Sequence, residues 1–243
     1  MAAALQGKTV ILTGGGGGIG SAIAVKLAQC RMKIVLLGGN NREKLENTRA
    51  LVENCSSCLV LPGDLTDLQF ISDAVDQAVE HFGGVDILIN NAGVAQSTPF
   101  EKVTCAEYDR IMAINTRAPF FLTQKLLPFL KQSDAASIIN IASVVSHAGY
   151  PLQSVYTASK HALLGWTKSL AVEYCKDNIR VHAICPGGVY TDMVKISRPD
   201  LTSEGMIMPE DIAEIVHFFL AHRGNAVIDE ICVHRLGKEP FLI

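Results

Sequence analysis

The sequence predicts an α/β fold: a single domain built on a doubly wound, parallel sheet of seven strands with helices on both faces. Three observations carry that expectation. Short aliphatic runs alternate with longer segments of helical apolar spacing along all 243 residues, the pattern that strand–helix–strand units leave in a sequence. The runs, among them Lys8-Thr-Val-Ile-Leu-Thr and Ser137-Ile-Ile-Asn-Ile-Ala, are apolar almost throughout rather than at every second position, as strands covered on both faces are. The first of them passes through five consecutive glycines directly into a helical segment, so a backbone turn rather than a linker joins the two. The length suits one domain spanning 1–243 with a substantial core.

Residues 8–13 are the expected first strand and 19–28 the first helix. Glycines between a strand and a helix N-terminus let backbone N–H groups approach a phosphate, the arrangement of a Rossmann dinucleotide-binding unit. Gly15, Gly17 and Gly20 satisfy G-x-G-x-x-G, while Gly14, Gly18 and Gly20 satisfy a wider spacing; the glycine run alone does not choose. Residues 33–38 form the second strand, where such a unit places an acid about 20 residues on to hold the ribose 2′-hydroxyl. Here Gly38-Gly39-Asn40-Asn41-Arg42 follows instead. No carboxylate repels a 2′-phosphate there, and Arg42 is near enough to pair with one, so NADP is favoured over NAD. The plainer reading makes Arg42 an exposed residue opening a helix that ends near residue 54. The third strand covers 58–64 and leads into Asp64-Leu65, with Asp67 a candidate N-cap for a helix over 68–82. Residues 85–90 are the fourth strand, and Asn91-Ala92-Gly93 turns sharply after it.

A long helical pattern over 104–131 holds Asn115 and is interrupted by Pro119. Proline has no N–H for the carbonyl four residues back, which belongs to Asn115; that oxygen is then free to hold a water, unless the proline merely bends a surface helix. The fifth strand, 137–142, delivers the Ser143 hydroxyl at its C-terminal edge. Beyond it, Tyr156 and Lys160 stand four apart within helical spacing that continues through Leu163, Leu164, Trp166, Leu170 and Val172, so both project from one face. An ammonium beside a phenol is expected to lower the phenol pKa from about 10 and let it exchange protons near neutrality, with Ser143 holding a carbonyl oxygen. The alternative for the pair is a solvated contact on a helix surface. A sixth strand over 179–185, the turn Pro186-Gly187-Gly188-Val189-Tyr190-Thr191, a short loop over 192–208, a helix over 209–221 and a seventh strand over 229–233 complete the pattern.

Thr13-Gly14-x-x-x-Gly18-Ile19-Gly20, Asn90-Asn91-Ala92-Gly93, Ser143, Tyr156-x-x-x-Lys160 and Pro186-Gly187, in this order and spacing over essentially the whole chain, resemble the short-chain dehydrogenase/reductase family. Thr13 and Ile19 then favour Gly14, Gly18 and Gly20 as the cofactor turn. The resemblance implies reversible hydride transfer between a nicotinamide and a carbonyl or secondary-alcohol carbon, with Asn115, Ser143, Tyr156 and Lys160 catalytic. It implies that Asn115 anchors a water leading protons from Lys160 to solvent. The cofactor would run along Gly14, Gly16, Gly17, Gly18, Ile19 and Gly20, with Gly39, Asn40, Asn41 and Arg42 around the 2′ position and Asp64 and Leu65 at the adenine. Asn91, Ala92 and Gly93 would border the adenosine ribose, although Asn91 has a bracing role as its alternative. Tyr156 and Lys160 would meet the nicotinamide ribose, the Val189 backbone and Thr191 would hold the nicotinamide carboxamide, and Pro186 and Gly187 would also border the cofactor. Ser143, His147 and Gln153 are the candidate substrate contacts.

The chain also departs from that family's habits. Many members carry arginine at the position of Gly39 or a basic residue at that of Gly17, and a glycine-rich ending where this chain reads Val233-His-Arg-Leu-Gly-Lys-Glu-Pro-Phe-Leu-Ile243. The expected substrate is a small molecule, first a ketone of the kind reduced by 3-oxoacyl-thioester (acyl-carrier-protein) reductases. An NAD-linked alcohol, sugar-alcohol or hydroxysteroid dehydrogenase is the alternative, and a nucleotide sensor without chemistry a remote one that the complete residue set argues against. The short loop over 192–208 suits an open site for a long or tethered substrate, or one completed by a neighbouring subunit.

Composition narrows the remaining classes. A formal net charge of −3 without a lysine or arginine run gives no reason to expect nucleic acid or an anionic membrane as partner. No apolar stretch approaches the roughly 20 residues that span a bilayer, and the first residues are too short and polar for a signal peptide, so a cytoplasmic protein is expected. The hydrophobic fraction of 49% suggests apolar surface hidden between subunits; with the family resemblance it points to a homodimer or homotetramer built on the long helices after strands four and five, and the apolar tail is a further candidate contact. Seven scattered cysteines fit free thiols better than a disulfide framework. Cys55-Ser-Ser-Cys58 lacks the second pair or the histidines that complete a metal site, so no metal is expected.

Overall fold

The computed structural model describes residues 5–39, 41–192, 194 and 202–239. Seven strands, β1 (Thr9–Thr13), β2 (Lys33–Leu37), β3 (Cys58–Leu61), β4 (Ile87–Asn90), β5 (Ser137–Ile141), β6 (Arg180–Pro186) and β7 (Glu230–Val233), form one sheet in the order β3-β2-β1-β4-β5-β6-β7. Every pairing is parallel, so each connection must cross over the sheet, and the crossovers supply the helices. These are α1 (Gly18–Gln29), α2 (Arg42–Val52), α3 (Leu68–Phe82), α4 (Cys105–Met112), α5 (Ala118–Leu130), α6 (Ser154–Tyr174) and α7 (Pro209–Ala221). The strand order runs outward from β1 to β3 and then restarts at β4 on β1's other side. That reversal opens a crevice at the C-terminal strand ends, where ligands of doubly wound sheets bind.

Successive strand residues point to opposite faces, and this alternation divides the core in two. Val10, Leu12, Ile34, Leu36, Ile87 and Ile89 pack with α1 and α7, whereas Ile11, Val35, Leu37 and Leu88 pack with α3 and α5. Both sets are needed, which is why the strands read as unbroken apolar runs. The two asparagines inside those runs are register partners joined in one buried chain: Asn90 Nδ2 donates to Asn140 Oδ1 at 2.8 Å and to Thr123 Oγ1 at 3.2 Å, and Asn140 Nδ2 donates to Thr167 Oγ1 at 2.8 Å. This buried chain links α5, β4, β5 and α6 behind the crevice.

Helices 68–82 and 209–221 have the expected bounds, and Asp67 accepts from the N–H groups of Gln69 and Phe70 at the start of α3. The segment expected as one helix over 104–131 is divided. Between α4 and α5 lies a π-helical stretch, Ala113–Arg117, in which the Ala118 N–H reaches the Ala113 carbonyl five residues back, and Pro119 falls in the first turn of α5. A helix start tolerates proline because its N–H would be unpaired there; the widened turn centred on Asn115 replaces the expected kink. Asn40, residues 193 and 195–201 of the 192–208 loop and the apolar tip of the tail lie outside the described residues.

Candidate active site

The glycine turn closes the crevice on one side. The Gly17 N–H bonds the Gly14 carbonyl at 3.1 Å, and Gly14 takes a φ of 68°, a conformation that costs an L side chain free energy. A Cβ on Gly14 would stand 2.9 Å from Ala92 Cα, and one on Gly20 only 2.2 Å from the Gly14 carbonyl oxygen, so both positions exclude any side chain. Gly18 is the first residue of α1 and touches Thr191 across the crevice. Whereas Asn41 and Asp67 cap α2 and α3 with their side chains, α1 begins at Gly17 with no side-chain cap. Its first N–H groups therefore face the crevice uncovered, and with the helix dipole they suit a pyrophosphate.

The neighbouring turns hold this one in place. Asn91 donates from Nδ2 to the Thr13 and Gly14 carbonyls at 3.0 and 3.2 Å, and Thr13 Oγ1 accepts from the Asn91 and Ala92 N–H groups, both at 3.0 Å. Asn91 thus braces the turn and also lines the cleft. Beyond β2, Leu65 packs beneath Gly38, and Asp64 Oδ1 is occupied by the Thr66 N–H at 2.8 Å. Gly39 has a φ of 95°, Asn41 Oδ1 accepts from the Lys44 N–H at 3.0 Å, and Arg42 stands with its side chain 76% exposed beside Glu46 at 3.5 Å. No carboxylate follows β2 before Glu43.

A cleft of about 390 Å³ lies at the strand ends, walled by Ile19, Gly93, Ser143, Tyr156, Lys160 and Thr191 among others. Ser143, Tyr156 and Lys160, separated along the chain, therefore meet on one wall beside the glycine turn. Pro186, Gly187 and Val189 line it too, as does Gln153 at the start of α6. Asn115 is buried behind the wall: its side chain exchanges two hydrogen bonds with the Val94 backbone, at 2.8 and 2.9 Å, and donates to Ser159 Oγ at 3.0 Å. Gly93 lies between Asn115 and the Lys160 amine. His147 is a correction to the expected substrate contacts. It ends the turn Val144–Ser146 and turns its ring to Glu230 on β7, because a one-turn helix after Ser143 carries its side chain away from the cleft.

The electrostatics of the pair also differ from the expectation. Burial pushes the Tyr156 phenol above its ordinary pKa, and the Ser143 hydrogen bond offsets this only in part. The Lys160 ammonium does not pull it down, since Lys160 Nζ donates to the Ile141 carbonyl at 2.8 Å and lies 5.9 Å from the Tyr156 ring centre. Lys160 is itself lowered from 10.5 to about 8 by burial. A low-polarity wall penalises both charged forms, phenolate and ammonium alike, and here that outweighs their mutual attraction.

A family model for short chain dehydrogenase matches residues 8–202. The chain belongs to that family. This short-chain dehydrogenase is 36% identical over 207 residues, 84% of its length and 80% of the relative's, to a D-beta-hydroxybutyrate dehydrogenase of Rhizobium meliloti. It is 35% identical over 239 residues, 93% of its length and 95% of the relative's, to a 3alpha-hydroxysteroid dehydrogenase of Mediterraneibacter gnavus. Its fold superposes on a 3-ketoacyl-(acyl-carrier-protein) reductase from Brucella melitensis complexed with NADH, with a TM-score of 0.85 and 28% identity over 96% of this chain and 98% of that one. The short-chain dehydrogenase is accordingly an oxidoreductase of hydroxyl and carbonyl substrates that uses an NAD(P) cofactor. Among its described residues no helix is long and apolar enough to cross a membrane.

Several residues that serve the site were not singled out in the sequence. Gln96 is buried and its Oε1 accepts from the Val155 and Tyr156 N–H groups at 2.8 and 3.2 Å, capping the helix that carries the phenol. Ser159 links the Tyr156 carbonyl to Asn115. Lys44 packs against Gly16 and pairs with Asp192 at 3.0 Å, while Arg235 and Lys238 of the tail line the cleft. Apart from Ser159 within α6, they lie on loops or helix ends without a periodic pattern. Only the exchange of the family's glycine-rich ending for a basic one marked the tail.

Proposed function

We propose that this short-chain dehydrogenase is an NADP-dependent ketone reductase of the 3-oxoacyl-thioester type. The observation that carries the reading is the meeting of the Ser143 hydroxyl, the Tyr156 phenol and the Lys160 amine on one cleft wall next to the uncapped start of α1. NADP(H), when bound, supplies the hydride. Ser143 holds the substrate carbonyl oxygen, and Tyr156, which burial keeps protonated at neutral pH, gives its proton to the oxygen as the alkoxide develops. An ammonium has three donors; Lys160 uses one on Ile141 and grips the nicotinamide ribose with another. Asn115 braces the wall through Val94 and Ser159, and its backbone carbonyl, which Pro119 cannot reach with an N–H, holds the water that reloads the proton.

The NADP preference rests on the glycines that replace an acid after β2 and on Arg42, whose exposed pairing with Glu46 is weak and easily exchanged for a 2′-phosphate. Arg235 and Lys238 line the cleft, and no aspartate or glutamate stands with them among its described residues, which suits a substrate on an anionic carrier. Residues 1–243 act as a single nucleotide-binding domain, with 192–208 its short substrate loop. The protein works in the cytoplasm as a homodimer or homotetramer joined through α5 and α6, the long helices after β4 and β5, where Phe120, Phe121 and Val172 are exposed. A second reading, an NAD-linked hydroxy-acid or hydroxysteroid dehydrogenase, draws on the names of the Rhizobium and Mediterraneibacter relatives.

Two measurements test the proposal. Direct binding should find NADPH at least about tenfold tighter than NADH, a difference of about 1.4 kcal/mol; tighter NADH binding moves the assignment to the second reading. Tyr156→Phe should bind NADPH within about twofold of wild type while losing turnover by at least about 100-fold. Retained turnover removes Tyr156 from the proposed role.

A further inference from the structure

Outside the cleft, four side chains of metal-ligating type converge beside the paired strands β6 and β7. Cys185 and Cys232 are register partners on the two parallel strands and so point to the same face. Glu230 precedes Cys232 by two residues and shares that face. His147, turned away from the substrate side, comes to the same point. The ligand atoms of all four lie within 4.8 Å of one another. One carboxylate oxygen, Glu230 Oε1, is met by His147 Nε2, by Cys185 Sγ at 3.3 Å and by Cys232 Sγ at 3.7 Å. None of the four lines the nucleotide cleft.

We propose that this cluster is a binding site for zinc or a cation of its class, with the two thiolates, the His147 imidazole and the Glu230 carboxylate as ligands. Two sulfurs, one nitrogen and one oxygen make a donor set that suits a borderline-soft cation; magnesium and calcium prefer oxygen alone. Tetrahedral bonds of about 2.0–2.3 Å put ligand atoms about 3.3–3.8 Å apart, so the present spread has to contract by about an ångström. His147 and Cys232 lie at the surface and can move, while Cys185, fully buried, anchors the inner side. Hydrogen bonding alone explains the cluster poorly, because a thiol is a weak donor, yet two of them surround one carboxylate oxygen. A single cation satisfies all four groups at once and returns the thiol protons to solvent. Among the described residues, Lys168 Nζ, 3.6 Å from Glu230 Oε2, is the one competing charge, and it sits on the oxygen that the ligands do not share.

The test uses the full-length protein, reduced and stripped with chelator, titrated with Co²⁺ as a spectroscopic probe. One equivalent should develop thiolate-to-cobalt charge-transfer absorption together with the intense visible bands of a tetrahedral site, and Zn²⁺ should erase both. Cys232→Ser and His147→Ala, at surface positions, should each weaken cobalt binding by about tenfold or more, whereas Cys55→Ser, an exposed cysteine outside the cluster, should leave it unchanged. Absence of a saturable thiolate band in the reduced wild type overturns the site, and so does a band that survives unaltered in Cys232→Ser. If the reduced protein binds no cobalt but oxidises to a Cys185–Cys232 disulfide, the pair is a redox couple and the metal assignment is wrong.

Discussion

Lys160 illustrates how one side chain answers to two demands. Its amine is buried to reach the cofactor wall, and burial lowers its pKa from 10.5 in the open chain to about 8. Between those values the unfolded chain binds more protons than the folded one, so stability rises with pH through that window; below pH 8 the full cost of the buried charge is present. The difference corresponds to about 3 kcal/mol. Lys160→Met should therefore be inactive but more stable than wild type at pH 7, by about 1–3 kcal/mol once the Ile141 carbonyl's lost donor is counted. Its advantage should shrink as pH rises from 8 toward 10.5. Denaturant melts of both proteins at pH 7 and pH 10 measure this directly, and an advantage that grows with pH contradicts the buried-ammonium account. Tyr156 obeys the same rule with opposite charge: its proton is retained because a phenolate in that wall is unfavourable.

At the scale of elements, the turn between β1 and α1 separates glycines that are obligatory from one that is not. A methyl group at Gly20 meets the Gly14 carbonyl at 2.2 Å, whereas at Gly17 the nearest atom, that same carbonyl oxygen, is 3.5 Å away. Gly20→Ala should displace the start of α1, lowering both folding yield and nucleotide affinity, while Gly17→Arg should fold normally and bind NADPH several-fold more tightly through the added charge beside the phosphates. Calorimetric titration with NADPH distinguishes them, and a Gly17→Arg protein with unchanged or weaker affinity would show that the 2′-phosphate lies elsewhere. The π-helical stretch around Asn115 is a second case. Its position was suggested by Pro119, but whether the helix would kink at the proline or widen before it depended on the partners Val94 and Ser159, which fix Asn115 from two other elements. Such widened turns often occur at functional sites.

For the whole molecule, the proposed assembly rests on the exposed aromatic face of α5, which reaches Trp166 of α6. Phe120 is 42% exposed, and its ring stacks edge-to-face on Phe121 at 5.4 Å and on Trp166 of α6 at 5.9 Å. Rigid aromatic clusters of this kind are favoured as interface anchors. Phe120→Glu should place a charge in the proposed contact and shift the protein toward monomer by light scattering, with the monomer's secondary structure intact. A wild-type protein that is already monomeric at micromolar concentration would remove the interface.

The sequence by itself determined the sheet, because a strand buried on both faces has no choice but to be apolar along its length, and alternation with helices forces parallel crossovers. It also determined which residues could do chemistry, since phenol, amine and hydroxyl stood in a recognisable order. Tertiary structure alone decided how those groups are tuned and who supports them. Proximity in the chain placed Lys160 beneath Tyr156 but could not reveal that the amine turns to Ile141 or that dryness outweighs charge in the wall. It placed His147 four residues after Ser143 and could not show the turn that sends it to β7. Gln96 holds the start of α6 from 59 residues away, and Cys185 meets Cys232 only because β6 and β7 pair in register. Local periodicity records which face of an element is buried, whereas hydrogen bonds, desolvation and ligand clusters depend on distances between elements, and those exist only once the chain has folded.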